Sequence, residues 1–272
     1  MEQFGRKYRL QIGGREVGCP LRISFRIEKT DTQTPDTARI TLWNLSPETI
    51  AALNEEDCLI TLFAGYETFM PMAFRGVVTY AQTNMEGSDR ETTIEAQDCR
   101  RELRDTYVSF SYSGIVNSRD IIEDIAGEMG LAVNFSHNAR FHDYPKGIAF
   151  VCPARTALDT VCASSNLRWR AENGVLEVKI NRDTMSRDLF LLSPDSGLIG
   201  FPKKLTYGGD RDGTDFQTGW QAEYFLNGAI RVDDYVKLES SLVKGHFRVL
   251  SVDMRGDSWQ GDWICSAKLM EA

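Results

Sequence analysis

Histidine, paired cysteine and basic charge are all in short supply in this sequence, and each shortage removes a class of function. Three histidines among 272 residues leave little material for metal binding or for acid–base work near neutral pH. His137 and His142 lie in a segment rich in Asn, Asp and aromatics, without the further ligands of a closed zinc site. His246 stands at the start of an expected strand and reads as a surface or interface residue. The six cysteines (Cys19, Cys58, Cys99, Cys152, Cys162 and Cys265) include no CxxC pair, so they read as reduced, mostly buried small hydrophobes. No apolar run approaches the ~20 residues that cross a bilayer. The opening ten residues also lack the apolar stretch of a secretory signal, so stable membrane insertion is not expected. Neither a G-x-S-x-G elbow nor a Gly-Lys-Ser phosphate loop occurs. Lys and Arg number 31 against 39 Asp and Glu, a net charge of −8. A chain that gripped nucleic acid through its phosphates would carry the opposite balance, so no specific nucleic-acid recognition is expected.

What is present is a globular composition, 42% hydrophobic and 26% charged, in a chain long enough for about two domains. Its first hundred residues alternate. Leu21, Ile23, Phe25 and Ile27 interleave with Arg22, Ser24, Arg26 and Glu28, and Ala38, Ile40 and Leu42 interleave with Arg39 and Thr41. This period of two marks half-buried antiparallel strands. Further strands are predicted over 7–12, 59–64, 72–82 and 91–97, the last two joined through the turn-rich 84–89. Ser46-Pro47-Glu48 supplies a capping hydroxyl, a first-turn proline and a carboxylate at the positive helix end, which predicts a helix over 47–53.

The period then changes. Ser118 can cap a helix whose Ile121, Ile122, Ile125 and Met129 share one face and which Gly130 ends. Ala154, Ala157, Leu158, Val161 and Cys162 make a second such face, and Asn173-Gly174 suits a tight hairpin between strands 167–171 and 175–180. After Ser193-Pro194 strands return at 205–207, 220–226, 235–239, 246–252 and 263–269. The pattern predicts a mainly β, α+β chain: two small antiparallel barrel or sandwich domains, 1–110 and 191–272, separated by a helix-containing α+β insert over 111–190.

Chemistry-bearing clusters are few. Asp210, Asp212 and Asp215 could wrap a calcium ion around Gly213, but the twelve-residue loop with its terminal glutamate is missing, so a metal there is a weak candidate. The neighbouring carboxylates Glu55-Glu56-Asp57, Glu123-Asp124 and Asp233-Asp234 read as solvated faces rather than an acid/base dyad. Arg100-Arg101-Glu102-Leu103-Arg104-Asp105 mixes signs and reads as an exposed, salt-bridged segment. Trp43, Trp220 and Trp263 are expected to fill a core or an oligomer interface.

The order of segments is more telling than any motif. Strand 23–29, then strand 38–42 running into Trp43-Asn44-Leu45-Ser46-Pro47-Glu48, then Asp98-Cys99-Arg100-Arg101-Glu102-Leu103, resembles the opening domain of phage tail baseplate hub proteins. Ser118-Arg-Asp-Ile-Ile-Glu-Asp-Ile-Ala, Pro153-Ala-Arg-Thr-Ala-Leu-Asp159 and Leu167-Arg-Trp-Arg170 with Gly174-Val-Leu-Glu-Val178 are similar to that family's paired-helix insert. Gly200-Phe-Pro202, Gly219-Trp220, Val236-Lys-Leu238, Gly245-His-Phe-Arg-Val249 and Gly261-Asp-Trp263 look like its second tube-type domain.

The resemblance implies a structural virion component, not an enzyme, without cofactor. It implies a homotrimer whose six tube-like domains form a pseudo-sixfold ring around the DNA channel. Its expected partners are a tail tube or distal tail protein on one side and a central spike or tail tip protein on the other. Assembly in the host cytoplasm and residence in the virion tail follow from the same likeness. The alternative is a glycan-binding or cell-wall-degrading tail-associated module, using exposed C-terminal aromatics and Asp210, Asp212 and Asp215.

Overall fold

Alternation of apolar and charged residues becomes antiparallel sheet through most of the chain. The computed structural model describes residues 5–180, 189–207 and 217–271. The first stretch forms β1 (Arg6–Ile12), β2 (Arg15–Gly18), β3 (Ile23–Thr30), β4 (Thr37–Trp43), helix α1 (Pro47–Leu53), β5 (Leu59–Tyr66), β6 (Met72–Glu86) and β7 (Asp89–Gln97). The middle forms α2 (Arg100–Asp105), β8 (Tyr107–Tyr112), β9 (Val116–Asn117), α3 (Ser118–Met129), β10 (Ala132–Phe135), β11 (Asp143–Tyr144), β12 (Ile148–Pro153), α4 (Ala154–Ser164), β13 (Leu167–Glu172) and β14 (Val175–Ile180). The last forms β15 (Leu189–Leu192), β16 (Leu198–Tyr207), β17 (Gln217–Phe225), β18 (Tyr235–Glu239), β19 (Lys244–Asp257) and β20 (Trp263–Glu271). The mainly β, α+β class expected from the sequence is the class observed.

The chain divides into two compact units: Met1–Asp31, Asp36–Asp98 and Ser186–Ala272 in one, Thr32–Pro35 and Cys99–Met185 in the other. The segments before and after the insert, expected as two separate domains, are therefore two lobes of one unit. A single sheet runs through both in the order β16-β17-β20-β19-β3-β4-β7-β6-β5-β1-β2, with β18 on β19 and β15 on β18. One core fills it: Leu10, Ile23, Ile27, Ile40, Leu42, Ile60 and Leu62 from the first lobe join Val236, Leu238, Val249, Met254 and Leu269 from the second. Each such aliphatic side chain contributes about 1.5–3 kcal/mol when fully buried. The expected boundary at 110 falls instead between 98 and 99, because β8 leaves the large sheet and pairs with β12, Tyr107 opposite Pro153 and Tyr112 opposite Ile148.

Local chemistry explains the helices. The Ser46 hydroxyl accepts from the Thr49 amide at 3.2 Å, with Pro47 in the first turn. In α3 the cap is Asn117, which accepts from the Arg119 N–H at 2.9 Å. Ser118, expected as the cap, is the first helical residue, and its hydroxyl accepts from the His142 amide at 3.1 Å. Within the second unit, Ile121, Ile122 and Ile125 of α3 and Ala157, Leu158 and Val161 of α4 form a core with Leu176 and Val178 of the β10-β14-β13 sheet. The β13–β14 turn has Asn173 at φ 54° and Gly174 at φ 82°, the two left-handed residues that a two-residue hairpin needs.

Candidate functional site

The outward face of the large sheet is polar and cross-linked by charge. Register places Glu95, Arg39, Arg26 and Arg255 side by side across β7, β4, β3 and β19. Carboxylates sit between the guanidiniums: Arg26 meets Asp253 at 2.7 Å and Glu28 at 2.8 Å, Arg39 meets Glu95 at 3.8 Å, and Arg255 meets Asp253 at 3.4 Å. Exposed pairs of this kind contribute about 0–1 kcal/mol each. Their effect is on register, since a one-residue slip would carry every charge to the apolar face. A groove along this face is lined by Ser24, Arg26, Arg39, Thr41, Arg255 and Asp262.

Beneath that face lies an internal repeat. Each lobe contains a four-stranded antiparallel sheet made of two hairpins, β3-β4-β7-β6 in the first and β16-β17-β20-β19 in the second. In each, the last long strand bends away to pair with a further strand, β6 with β5 and β19 with β18. The long strands carry the same irregularity: register shifts between Val78 and Tyr80 of β6, and between Val249 and Ser251 of β19. Thr79 and Leu250 are the extra residues, and such a bulge bends its strand and tightens the local twist.

Three backbone hydrogen bonds outside the regular ladders recur at matching places. The Val78 N–H donates to the Cys58 carbonyl (2.9 Å) as Val249 does to Asp234 (3.0 Å). Asn44 donates to Arg90 (2.8 Å) as Leu226 does to Trp263 (3.0 Å). Trp43 donates to Arg22 (3.4 Å) as Phe225 does to Gly197 (2.9 Å). Asp57 and Asp233, which hold matching places ahead of β5 and β18, both adopt left-handed backbone, φ 54° and 73°. For any residue other than glycine that conformation is uncommon, so its recurrence marks a shared frame.

The lobes meet edge to edge. β19 pairs antiparallel with β3 from Ser251 opposite Thr30 to Asp257 opposite Ser24. At its end the joint is clasped by Asp257, which accepts from Arg22 at 2.7 Å and from the Trp259 and Gln260 amides at 2.9 and 3.1 Å. Burial raises this carboxyl's pKa, but the Arg22 guanidinium and the two amides outweigh it, and the net shift is downward. Gly256 lies between Phe25 and Trp263; a Cβ there would come within 2.4 Å of the Phe25 ring and 2.9 Å of the Trp263 ring. The two rings meet edge to face across it at 5.4 Å.

The matching outer edges have no such partner. Among the described residues, no strand pairs with the outer side of β6 beyond Val77 or with the outer side of β16. Met85 on β6 and Phe201 on β16 are each 67% exposed. Unpaired edges bearing large apolar side chains are templates for association.

Of the residues expected at a site, Trp263 is buried, its indole N–H donating to the Gly65 carbonyl at 3.0 Å. Trp220 is partly buried against the same core. Trp43 is half-buried, with the Arg22 guanidinium 4.1 Å above its ring. Asp210, Asp212 and Asp215 lie outside the described residues, and among the described residues no cluster of three His, Cys, Asp or Glu could hold a metal. His137 and His246 are exposed. His142 is half-buried and its Nδ1 is 2.9 Å from the Ser165 hydroxyl, which donates to Ser118 at 3.1 Å, so it ties the ends of α3 and α4.

Asp233 and Asp234, expected as a solvated face, are buried: Asp233 accepts from Arg248 at 2.5 Å, and Asp234 accepts from the Arg231 amide at 2.7 Å. Their signal in the sequence was Arg248 on the apolar strand 246–252, a cation that needs a buried partner. The 100–105 segment is a helix that buries Leu103, with Arg104 and Asp105 paired at 2.5 Å on its exposed side.

This fold, a repeated four-stranded sheet interrupted by an α+β insert, is similar to those of solved phage-tail and tail-like proteins. No protein-family model matches the chain, and no curated protein matches it. The similarity is to solved structures. A tail protein from Neisseria meningitidis MC58 is 12% identical with a TM-score of 0.66, over 98% of this chain and 97% of that one. The 43 kDa tail protein of prophage MuSo2 from Shewanella oneidensis is 9% identical with a TM-score of 0.68, over 98% of each chain. An Escherichia coli component of the type VI secretion system, described as similar to T4 bacteriophage tail proteins, is 10% identical with a TM-score of 0.65, over 97% of this chain and 76% of that one.

Proposed function

We propose that the chain is a structural component of a phage tail or tail-like secretion apparatus, without enzymatic activity. In this reading it forms a homotrimeric hub ring of six similar lobes that fits a hexameric tail tube to a trimeric spike or tip. The internal repeat carries the reading. A chain holding two copies of one sheet frame, joined edge to edge, offers head-to-tail association in which lobe follows lobe, and such association closes into a ring when the rotation permits. Three copies would supply the six places that a hexameric neighbour needs, while the non-equivalence of the two lobes would leave a true threefold for the spike.

The fold's likeness to solved tail proteins supports the setting. The net charge of −8 suits a channel that DNA must pass without adhering. Native mass spectrometry of the purified chain, with negative-stain imaging, tests the reading: a trimer presenting a six-lobed ring is expected. A persistent monomer that hydrolyses cell wall or binds glycans on an array would overturn it.

A further inference from the structure

We propose that the hollow between Trp43 and Trp259, at one end of the β3–β19 joint, is a docking site for an arginine side chain presented by a partner protein. The site goes beyond the ring reading above and does not depend on it.

The chain already holds one guanidinium there, by the chemistry that the hollow offers a second time. Arg22 lies with its guanidinium 4.1 Å above the Trp43 ring and 6.0 Å from the Trp259 ring, and its Nη2 donates to the Asp257 carboxylate at 2.7 Å. An aromatic face beside a carboxylate suits this group: the ring draws the planar cation while the carboxylate accepts from its edge. Beyond Arg22 the same elements recur. Trp259 is 65% exposed, and with Trp43, Asn44 and Asp89 it borders a hollow of about 120 Å³. With Arg22 matched by Asp257, the exposed carboxylate of Asp89 gives that hollow a negative wall. Small-molecule sites commonly enclose ~300–1,000 Å³. This hollow therefore suits the head of one side chain.

Its walls are set in advance. The Trp259 and Gln260 amides donate to Asp257 Oδ1 at 2.9 and 3.1 Å, which fixes the turn that carries the exposed ring. Asn44, in left-handed backbone at φ 60°, accepts from the Arg90 amide at 3.0 Å and donates through its own amide to Asp89 at 2.9 Å. A site ordered before its ligand arrives loses less freedom on binding. Tryptophan and arginine are also the side chains that most often dominate the energy of a protein interface. Nor does the shared frame of the lobes demand these residues. In the second lobe Gly197 and Phe225 stand where the first has Arg22 and Trp43, and the β19–β20 loop bearing Trp259 is longer than the β6–β7 loop. The aromatic stack belongs to the joint and is not a by-product of the repeat.

The test uses the full-length chain carrying fluorotryptophan, whose five tryptophans are resolved by fluorine NMR. The probe is the peptide acetyl-Gly-Arg-Gly-amide, with citrulline in place of arginine as the neutral control. Saturable shifts are expected at Trp43 and Trp259, with Trp169 and Trp220 unmoved. The citrulline peptide should bind about tenfold more weakly or worse, because it keeps the shape and loses the charge. Asp89→Asn should weaken arginine binding about fivefold, and added salt should weaken it too. Trp259→Ala should remove the response at Trp43 while leaving the melting temperature unchanged, since the ring is exposed and the turn is held by backbone amides. Equal binding of the two peptides, or full binding to Asp89→Asn, would overturn the assignment of a cation. No saturable shift up to about 50 mM peptide, far above the millimolar range of a weak contact, would overturn the site. Either failure leaves the ring reading untouched.

Discussion

The two lobes share one frame and fill it differently. In the first, β6 bends into an antiparallel sheet with β5, β1 and β2 under helix α1; in the second, β19 bends to β18, whose other neighbour is the parallel strand β15. Inward positions keep their burial but exchange size. Ile40 and Leu42 of β4 correspond to Ala222 and Tyr224 of β17, all four nearly inaccessible. On β7 and β20 the pair Thr92 and Ile94 becomes Cys265 and Ala267, again all buried. Cores tolerate such exchange when total volume and patterning are kept. The difference teaches that this frame is held by backbone features, the bulge, the left-handed aspartates and the matched cross-loop bonds, while side chains adapt each lobe to its neighbours.

The sharpest break of that comparison is at Trp263 and Arg90, which hold equivalent places in the second and first lobes. Trp263 is buried at the joint, whereas Arg90 is half-exposed near a hairpin end. Trp263→Ala should cost about 3–5 kcal/mol, the usual range for a buried aromatic. Arg90→Ala should stay within about 0.5 kcal/mol. Denaturant midpoints at constant slope measure both. Equal losses would mean that the equivalence of position extends to energetics.

Next in size is the Arg248–Asp233 pair. The first lobe has Val77 at the place of Arg248, and Asp57, the counterpart of Asp233, is exposed. Arg248→Met should destabilise by about 3 kcal/mol because it leaves a buried carboxylate without its closest cation. Adding Asp233→Asn, which keeps a residue tolerant of left-handed backbone, should recover most of the loss. Thermal melting of the single and double variants decides the matter; a double variant no better than the single would place the energy elsewhere.

Much of this frame was legible in the sequence, and the reason is physical. Period-two alternation survives wherever one face is buried and the other solvated, which is why β3, β4, β7 and β20 lie where their apolar residues predict. Helix 47–53 was equally readable, since capping chemistry is local. The joining of the two ends into one unit was not, because pairing between β3 and β19 spans more than two hundred residues and leaves no local sign. β8 and β12 were missed for a related reason. Their short, half-buried pattern is weak until each is seen beside the other. That the two ends share a tube-like frame was expected from the resemblance, but its residue-by-residue correspondence was masked by the exchanges of size at inward positions, where Val78 and Val249 are one of few identical pairs.

Gly256 sharpens the same contrast more gently. Its counterpart in the first lobe is Met85, a large residue on an edge with room for it. At the closed joint a methyl group has none, so Gly256→Ala should destabilise by about 1–3 kcal/mol. Met85→Ala should leave the melting temperature of the monomer unchanged. If Gly256→Ala were silent, the packing of Phe25 against Trp263 would not be what closes the joint.

Buried thiols give a finer probe of the two lobes. Burial pushes the Cys265 thiol up to about 12. Cys58 in the first lobe is raised too, first by burial and then by Glu55, partly offset by the Gly13 N–H. Cys19 is exposed. A thiol-specific alkylating reagent near neutral pH should therefore label Cys19 within minutes and leave Cys58 and Cys265 unmodified until the unit unfolds. Mass mapping of partly labelled protein would show whether the lobes open together. Simultaneous labelling of Cys58 and Cys265 marks one cooperative unit, and earlier labelling of either marks a weaker lobe.

The smallest expected effect concerns pH at the joint between lobes. Asp257 has its carboxyl held below the ordinary carboxylate range of about 3.9. Burial opposes the shift, but Arg22 and the two turn amides outweigh it. A group depressed on folding stabilises the native state above its unfolded pKa, and that stabilisation is lost as pH falls through the folded value. The joint should therefore hold undiminished at pH 5 and above and weaken only on acidification below about pH 4. Asp257→Asn should lower stability at pH 7 and flatten the dependence at the acid end. Because Arg22 and Asp257 clasp only the β3–β19 joint, hydrogen exchange at low pH should accelerate in the amides of that ladder before those of β6 and β7. Acceleration in both ladders at the same pH would show that acid acts on the whole unit rather than on this clasp.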